Sequence, residues 1–300
     1  MGQLLFSNTL LSIFLVLLVT FLITYYLIPK IINVVNHKQL MDSPNQRSSH
    51  TELTPTFGGV SFYIILVLTL LLVNDLQGHS LSINIIAGLT IILFTGLKDD
   101  LVIISLRSKL LGQLFAGIVF LYATNQYNID LNGFLGIYEL NATIGFIFSL
   151  VIITIIVNAF NLIDGIDGLA ASIGIIVLSI YAAIYYYLGL YFYTFISISL
   201  IGSLIAFLRF NLSSSKKIFM GDTGSMIIGF VVSVLTIRFL NLEPTQLEEI
   251  YFIPQNSLFV VLSILIFPSF DMIRILMVRL MKKKHLLLAD KNHSHHVLLN

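Results

Sequence analysis

Residues 142–158 read ATIGFIFSLVIITIIVN, and the chain continues Asn158-Ala-Phe-Asn161-Leu-Ile-Asp164-Gly-Ile-Asp167-Gly-Leu-Ala170. The first stretch is close to the length that a membrane helix needs, since about 30 Å of hydrocarbon takes roughly 20 apolar residues. The second stretch sets two carboxylates and two carboxamides among small residues directly after it. Polar groups at a membrane boundary are costly and mark functional sites. The sequence therefore predicts a membrane helix that ends in a polar site.

The composition extends this prediction to the whole chain of 300 residues. Hydrophobic residues make up 57%, charged residues only 10%, and the mean hydropathy is +0.96, far from a soluble domain. Nine apolar runs of near-spanning length lie near 5–28, 57–73, 81–97, 109–124, 142–158, 169–188, 190–207, 224–240 and 257–280. These runs are too long and too continuously apolar for barrel strands. We expect an all-α integral membrane protein, a polytopic bundle of about nine transmembrane helices that forms one domain over residues 1–300.

The charge distribution predicts the orientation of this bundle. No Lys or Arg precedes Lys30, so the first run lacks the positive start of a secretory signal and is expected to be a retained helix with its N-terminus outside. Alternating sides from there places fifteen of the sixteen Lys and Arg residues in the cytoplasm, with Arg238 as the exception. The positive-inside rule predicts this bias. The expected cytoplasmic segments lie near 30–56, 98–108, 158–168, 208–223 and 281–300, which also puts the C-terminus inside.

An acidic pair follows the third apolar run, with cations shortly after it. Asp99 and Asp100 are adjacent, and Arg107 and Lys109 stand at the start of the fourth run. Two carboxylates near a membrane surface can serve a divalent cation or act as a base. The alternative is a solvated helix end whose acids are offset by local cations. At a membrane boundary we favour function.

The motif that follows the fifth run combines helical spacing with turn residues. Asn158, Asn161 and Asp164 recur every three residues, so they share one face if the helix continues that far. Gly165 and Gly168 then leave room for a bulky polar ligand. A pair of ordinary turns is the alternative, and it would leave four polar side chains at a costly boundary. A calcium loop is excluded because the Asp/Asn alternation and the distal Glu of that pattern are absent.

Two further segments carry weaker signals when each is taken alone. Gly221-Asp222-Thr-Gly224-Ser225 can bind phosphate at helix-start amides, with Asp222 holding a Mg²⁺ ion that bridges to it, or it can be a plain helix N-cap. It lacks a Walker lysine and is therefore no P-loop. The segment from Asp42 to Gly59 includes Arg47 and His50 and is typical of a polar connector, although its two final glycines would let the backbone approach a ligand or a neighbouring helix closely.

The chain has no cysteine, which excludes disulfides and thiolate metal sites, and its last motif is a histidine cluster. His293, His295 and His296 are spaced too closely to surround one zinc ion easily. Contact with phosphate or pyrophosphate suits a half-protonated cluster equally well, and we prefer it.

The order of these motifs resembles the polyprenyl-phosphate N-acetylhexosamine-1-phosphate transferases, glycosyltransferase family 4, which start peptidoglycan, teichoic acid and lipopolysaccharide O-antigen assembly. The resemblance extends from Asp42 to His296. Its motifs are Asp-Asp at 99–100, Asn-x-x-Asn-x-x-Asp-Gly-x-Asp-Gly-Leu-Ala at 158–170, Gly-Asp-x-Gly-Ser at 221–225 and His-x-His-His at 293–296. Members of the family usually carry one or two further spans after the His motif, whereas this chain ends four residues later at Asn300, so we expect a truncated or unusually short member.

The resemblance implies transfer of a sugar 1-phosphate from a UDP-sugar to undecaprenyl phosphate, with release of UMP. It implies a multi-pass protein of the bacterial inner membrane with a cytoplasmic active site that requires Mg²⁺, with Mn²⁺ as a substitute. The partners are the UDP-sugar, undecaprenyl phosphate, the bilayer and a second copy in a homodimer, and no nucleic acid. The His-x-His-His form resembles the branch that uses UDP-N-acetylglucosamine or a related amino sugar.

The resemblance also implies roles for individual residues. Asp222 with Asn161 would hold Mg²⁺, and Asp99 would be the base for the lipid phosphate. Asp100 would support that site or the metal, and Asp164 and Asp167 would position the nucleotide or sugar. Substrate contacts are expected from Arg47, His50, Lys109, Asn158, Asn161, Phe219, His293, His295 and His296.

Two alternatives stay open. The same chemistry can act on UDP-N-acetylmuramoyl-pentapeptide, or the protein can be a non-enzymatic transporter or lipid-binding protein. A transporter needs acids along the depth of the bilayer, whereas the transferase needs Asp99, Asp164 and Asp222 together at one rim. The run boundaries favour the rim.

Overall fold

The structure, a computed structural model, describes residues 9–38, 41–42, 54–73, 76, 79–102 and 104–270. In this part of the chain the α-helices are α1 (Thr9–Lys38), α2 (Gly59–Leu72), α3 (His79–Val102), α4 (Leu106–Thr124), α5 (Ala142–Ile163), α6 (Leu169–Tyr187), α7 (Tyr191–Asn211), α8 (Gly221–Leu240), α9 (Pro244–Glu249) and α10 (Ser257–Ile264). Two antiparallel pairs of short strands accompany them, β1 (Met41–Asp42) with β2 (Thr54–Pro55) and β3 (Asp130–Phe134) with β4 (Ile137–Glu139). A 3-10 turn at Pro254–Asn256 precedes α10.

The helices coincide with the apolar runs of the sequence. Seven of the described helices, α1 and α3 to α8, are long and apolar enough to cross a membrane, and α2 is a shorter apolar helix. The ninth run, near 257–280, begins as α10 and is helical again at 266–270, and its remainder lies outside the described residues. The prediction of an all-α polytopic membrane protein is confirmed. The count of nine spans and the sides of the two termini stay predictions.

Several helices continue beyond the apolar runs that predicted them. The third run was expected to end near 97, whereas α3 continues to Val102 and carries Asp99 and Asp100 in its last turns. Hydropathy detects the segment buried in hydrocarbon, while backbone hydrogen bonds carry a helix on into polar surroundings. The acidic pair is thereby held on a helix.

Helix α8 is the centre of the bundle. In its most apolar 18-residue window 94% of the residues are buried, compared with 22% in α1, which exposes most of its surface to the surroundings. It packs against α2, α3 and α5, and α7 packs against α1 and α6. Because α8 is enclosed along its length, its first turn lies among the neighbouring helices that pack against it.

The starts of α2 and α8 touch through their backbones. A Cβ atom on Gly59 would lie 2.2 Å from the nitrogen of Gly224, so only glycine permits this approach. The amides of Gly58 and Gly59 donate hydrogen bonds to the carbonyls of Phe219 and Met220, each at 3.0 Å. The close approach to a neighbouring helix that the glycine pair suggested is confirmed, and it fixes the loop that precedes α8.

Candidate active site

Four helix ends meet at one end of the bundle, which we call the acidic end. It is formed by the last turns of α3 and α5 and the first turns of α4 and α8. The residues that gather there are Asp99, Asp100, Lys109, Asn161, Asp164 and Asp222. The β3–β4 hairpin follows the other end of α4 and lies at the opposite end of the bundle. The chain therefore collects its motif residues on one side although they are up to 123 positions apart.

Lys109 is the centre of this cluster. Its Nζ lies 2.9 Å from Asp99 Oδ2, 2.8 Å from Asp222 Oδ1 and 2.9 Å from Asn161 Oδ1, and only 9% of its side chain is exposed. The Asn161 amide in turn donates to the Asp222 carboxylate and to Ser225 Oγ, the latter at 2.9 Å. A third of the Asp222 side chain is exposed. One ammonium thus joins oxygens from three helices, and the cluster is open at Asp222.

Asp100 has a different environment from its neighbour. Its Oδ1 accepts a hydrogen bond from the backbone nitrogen of Asp222 at 2.7 Å, and its Oδ2 accepts from the nitrogen and the hydroxyl of Thr223 at 3.1 and 2.6 Å. The first amides of a helix have no partner within the helix, and a carboxylate is the favoured acceptor there. Asp100 therefore caps α8 from another helix and holds the turn that presents Asp222.

Gly221 makes this cap possible. Its φ is +72°, and a Cβ atom at this position would lie 2.7 to 3.0 Å from the Asp100 carboxylate. A side chain would be strained by the backbone conformation and would collide with the cap. The glycine of the Gly-Asp-x-Gly-Ser motif is thus required by the backbone and by the carboxylate that approaches it.

Asn158 lies one turn deeper in the bundle and is paired with a residue that the sequence did not single out. Its Nδ2 donates to Gln113 Oε1 at 2.6 Å, and Gln113 Nε2 donates to Asn158 Oδ1 at 3.4 Å. Gln113 is fully buried. It stands four residues after Lys109 on the same face of α4, so a polar residue at helical spacing from a site cation was the available signal.

The loop between α5 and α6 carries the remaining carboxylates of the motif. Asp164 follows the last residue of α5, and burial raises the pKa of its carboxyl well above the usual range, with the charges of Asp222 and Asp100 adding to the shift. Asp167 pairs with Lys217, with 2.5 Å between Oδ2 and Nζ. Burial thus dominates the surroundings of Asp164, whereas Asp167 forms an ion pair.

The buried Asn211 ties this loop to the segment before α8. Its Oδ1 accepts from the nitrogen of Gly168 at 2.7 Å, and its Nδ2 donates to the carbonyl of Ile218 at 2.9 Å. Sequence reasoning missed it, and its only signal was a carboxamide at the end of an apolar run.

Phe219 lies beside these loops, half-buried, as part of the same assembly. Lys217 Nζ lies 5.2 Å from the centre of its ring, within the range of a cation–π contact. The Phe219 nitrogen donates to the carbonyl of Pro55 at 2.9 Å, which attaches the segment to the start of α2. Lys217 therefore connects Asp167 with an aromatic ring at the rim of the cluster.

The donor set can be tested against a magnesium ion. Among the described residues no three carboxylate or imidazole side chains converge as a ready-made metal cluster. Asp222 and Asn161 nevertheless direct oxygens at one position that a cation, the Lys109 ammonium, fills in this structure. Mg²⁺ prefers oxygen ligands and takes one or two carboxylates together with water and substrate phosphates. The residues present fit such an ion when phosphate supplies the rest of its shell.

Eight of the predicted site residues lie in this assembly or directly beside it, at 99, 100, 109, 158, 161, 164, 167 and 222, and Phe219 lies at its rim. The predicted substrate residues Arg47, His50, His293, His295 and His296 lie outside the described residues. The acidic residues Asp99, Asp164 and Asp222 stand at helix ends rather than along the depth of the bundle.

Comparison with known proteins extends this picture. The model of the family described as glycosyl transferase family 4 matches residues 82–240. The chain is 29% identical to undecaprenyl-phosphate alpha-N-acetylglucosaminyl 1-phosphate transferase of Escherichia coli K12, over 87% of this chain and 69% of the relative. It is 30% identical to the probable undecaprenyl-phosphate N-acetylglucosaminyl 1-phosphate transferase of Bacillus subtilis (86% and 69%) and 33% identical to phospho-N-acetylmuramoyl-pentapeptide-transferase of Enterococcus faecalis (75% and 75%).

Proposed function

This chain belongs to glycosyl transferase family 4, and from that membership we propose that it transfers N-acetylglucosamine 1-phosphate from UDP-N-acetylglucosamine to undecaprenyl phosphate. The observation that carries the proposal is the cluster of Asp99, Lys109, Asn161 and Asp222 at one end of a membrane bundle. A lipid phosphate reaches such a site from the bilayer and a nucleotide sugar reaches it from water. The product, a polyprenyl-pyrophosphate-linked sugar, would begin envelope glycan synthesis.

The reaction exchanges one phosphoanhydride partner for another. An oxygen of the lipid phosphate forms a bond to the β-phosphorus of the UDP-sugar, and the bond between that phosphorus and the bridging oxygen of the anhydride breaks. UMP leaves with the bridging oxygen and the electron pair. Because both substrates are anions, positioning and neutralisation of charge dominate catalysis of such transfers.

The residues of the cluster suit these tasks. Asp222 with Asn161 would hold Mg²⁺, which supplies positive charge to the pyrophosphate when it is bound. Lys109 would contribute a further positive charge to a phosphate oxygen. Asp99, beside Lys109, would accept a proton if the lipid phosphate arrives protonated. Asp100 would act indirectly, by holding the turn that presents Asp222.

The loops beside the cluster would receive the nucleotide. Asp164, Asp167, Lys217 and Phe219 would offer it carboxylates, a cation and an aromatic face. Aromatic faces are suited to stacking on a base. Asn211 would hold the two loops together through its hydrogen bonds to Gly168 and Ile218.

The proposed setting is a bacterial inner membrane with the acidic end in the cytoplasm. The excess of Lys and Arg in the expected cytoplasmic segments supports a cytoplasmic acidic end. The relatives named above are bacterial. A homodimer is part of the proposal.

The muramoyl-pentapeptide donor is the second candidate, because the chain is 33% identical to the Enterococcus faecalis enzyme. The relatives named for N-acetylglucosamine match a larger share of this chain, 86 to 87% against 75%, which supports the first donor. The transporter alternative fits less well, since Asp99, Asp164 and Asp222 lie together at the acidic end rather than along the depth of the bundle.

The proposal is tested by UMP release from purified protein in detergent micelles with undecaprenyl phosphate. UDP-N-acetylglucosamine and UDP-N-acetylmuramoyl-pentapeptide are offered in parallel, with and without Mg²⁺. We expect Mg²⁺-dependent release from the first donor, and loss of release in Asp222→Ala. Release from the second donor alone would transfer the proposal to that branch, and release from neither would overturn it.

A further inference from the structure

The ammonium of Lys109 occupies the place of a bound cation. Three oxygens from α3, α5 and α8 lie 2.8 to 2.9 Å from its Nζ, and its side chain is 9% exposed. This is the pattern of a coordinated ion, with ligands that come from separate elements. Two of these oxygens, on Asn161 and Asp222, are the atoms that the proposed function gives to Mg²⁺.

The pairing leaves negative charge in the site. Asp99 and Asp222 contribute two carboxylates against the one ammonium that pairs with both of them. Within the described residues Lys109 is the cation that pairs with Asp99 and Asp222, while Lys98 and Arg107 nearby are exposed. A partly buried site with excess negative charge favours a second, more highly charged cation.

Mg²⁺ and the Lys109 ammonium would compete for the same oxygens. Mg²⁺ binds oxygen at about 2.0–2.1 Å in a near-octahedral shell. An ammonium that keeps its contacts to those oxygens would lie close to the metal, where like charges repel strongly in a partly buried site. The side chain of lysine has four methylene groups and can move its ammonium by several ångströms without a change in the backbone.

The position of Lys109 in its helix supports a role in the site. It stands in the first turn of α4, just after the N-cap Ser105. A cation near a helix N-terminus opposes the helix dipole, so this placement does not stabilise α4. The compensation comes from the carboxylates of α3 and α8.

We propose that Lys109 is an exchangeable counter-cation, which neutralises Asp99 and Asp222 while the site holds no metal and leaves these oxygens when a divalent cation binds. This inference rests on the magnesium part of the proposed function. The displaced ammonium then faces the bound phosphates. Removal of Lys109 should therefore strengthen the binding of Mg²⁺ by the protein alone, which is the opposite of the effect expected for a residue that helps to build the metal site.

The test is the affinity for Mg²⁺, measured by titration calorimetry on the full chain in detergent without nucleotide or lipid. The variant is Lys109→Met, and the matched control is Lys216→Met, which removes an exposed positive charge from the loop before α8. We expect Lys109→Met to bind Mg²⁺ about threefold or more tighter than the wild type, because a competing charge is removed. The control should bind like the wild type.

A second measurement uses only the wild-type chain and so does not depend on whether the variant folds. Acetylation of Lys109 by acetic anhydride, read by mass spectrometry, should increase several-fold on addition of Mg²⁺, because the amine leaves its carboxylate partners. Acetylation of Lys216 should not change.

Equal or weaker binding by Lys109→Met, binding by neither protein, or unchanged acetylation of Lys109 would overturn the exchange. The release of UMP by the wild type is judged separately. If the wild type releases UMP but Lys109→Met does not bind Mg²⁺ more tightly, the transferase function stands and the exchange is wrong. If Lys109→Met binds Mg²⁺ more tightly but the wild type releases no UMP, the exchange stands and the transferase function is wrong.

Discussion

The Asp100 carboxylate lies 2.7 Å from the backbone nitrogen of Asp222, whereas the carboxylate of the preceding Asp99 lies 2.9 Å from Lys109 Nζ. The two adjacent acids of this motif therefore have different roles. Asp100 shapes the start of α8, and Asp99 belongs to the charged cluster. Substitutions should separate these roles.

Asp100→Asn should lower both stability and activity. An amide nitrogen would face the donors of either Asp222 or Thr223, so one arm of the cap is lost at a cost of about 1–3 kcal/mol in the free energy of unfolding. Thr223→Val is the graded control, because it removes the hydroxyl hydrogen bond alone and should cost about 1–2 kcal/mol. Thermal unfolding in detergent measures both. Wild-type stability in Asp100→Asn would contradict the capping role.

Gly221→Ala should cost more than the same change at Gly189. Both glycines have positive φ, +72° and +67°, but a Cβ atom at Gly189 has nothing within 4 Å, whereas at Gly221 it meets the Asp100 carboxylate. Gly189→Ala reports the backbone strain alone, about 1–2 kcal/mol. We expect Gly221→Ala to exceed it and to reduce UMP release as well. Equal losses of stability would show that the contact with Asp100 is unimportant.

The reciprocal amide pair of Gln113 and Asn158 should show coupling in a double-mutant cycle. Asn158→Leu leaves the buried Gln113 amide without its partner, and Gln113→Leu leaves the half-buried Asn158 amide with only the Thr154 carbonyl, whereas the double variant removes both amides. We expect each single variant to lose about 1–2 kcal/mol in the free energy of unfolding and the double variant to lose less than the sum. Additive losses would mean that the two amides do not depend on each other.

Asn211→Ala should loosen the two loops beside the cluster. It removes the acceptor of the Gly168 amide and the donor to the Ile218 carbonyl, which costs about 1–3 kcal/mol. Because these loops would receive the nucleotide, the KM for the UDP-sugar should increase. Asn241→Ala is the control, since the Asn241 side chain donates to the carbonyls of Ile237 and Gln126 at the opposite end of the bundle and its loss should leave KM unchanged. An unchanged KM in Asn211→Ala would remove the loops from substrate binding.

Much of the fold could be predicted from the sequence because each membrane helix requires a long run of apolar residues. Eight runs coincide with described helices, and Asp99, Asp164 and Asp222 lie at or next to the ends of these helices. The ends themselves could not be predicted, since charged residues such as Asp99 and Asp100 continue α3 beyond the apolar stretch.

The motifs identified the residues of the candidate site but not their partners. That Asp100 caps α8 while Asp99 pairs with Lys109 depends on how α3 is rotated against α8, which no local pattern reveals. Gln113 and Asn211 belong to no motif and were missed, although each is buried and makes a hydrogen bond to a distant segment. Side chains that hold a site together depend on contacts between distant segments.

The fate of the β-phosphate tests the central claim most directly. Purified protein is incubated with undecaprenyl phosphate, Mg²⁺ and UDP-N-acetylglucosamine labelled with ³²P in the β-phosphate, and the lipid and aqueous phases are separated. The proposed transfer predicts that the label enters the lipid together with the sugar while unlabelled UMP accumulates in water. Label that stays in the aqueous phase as UDP, or as unreacted donor, would contradict it.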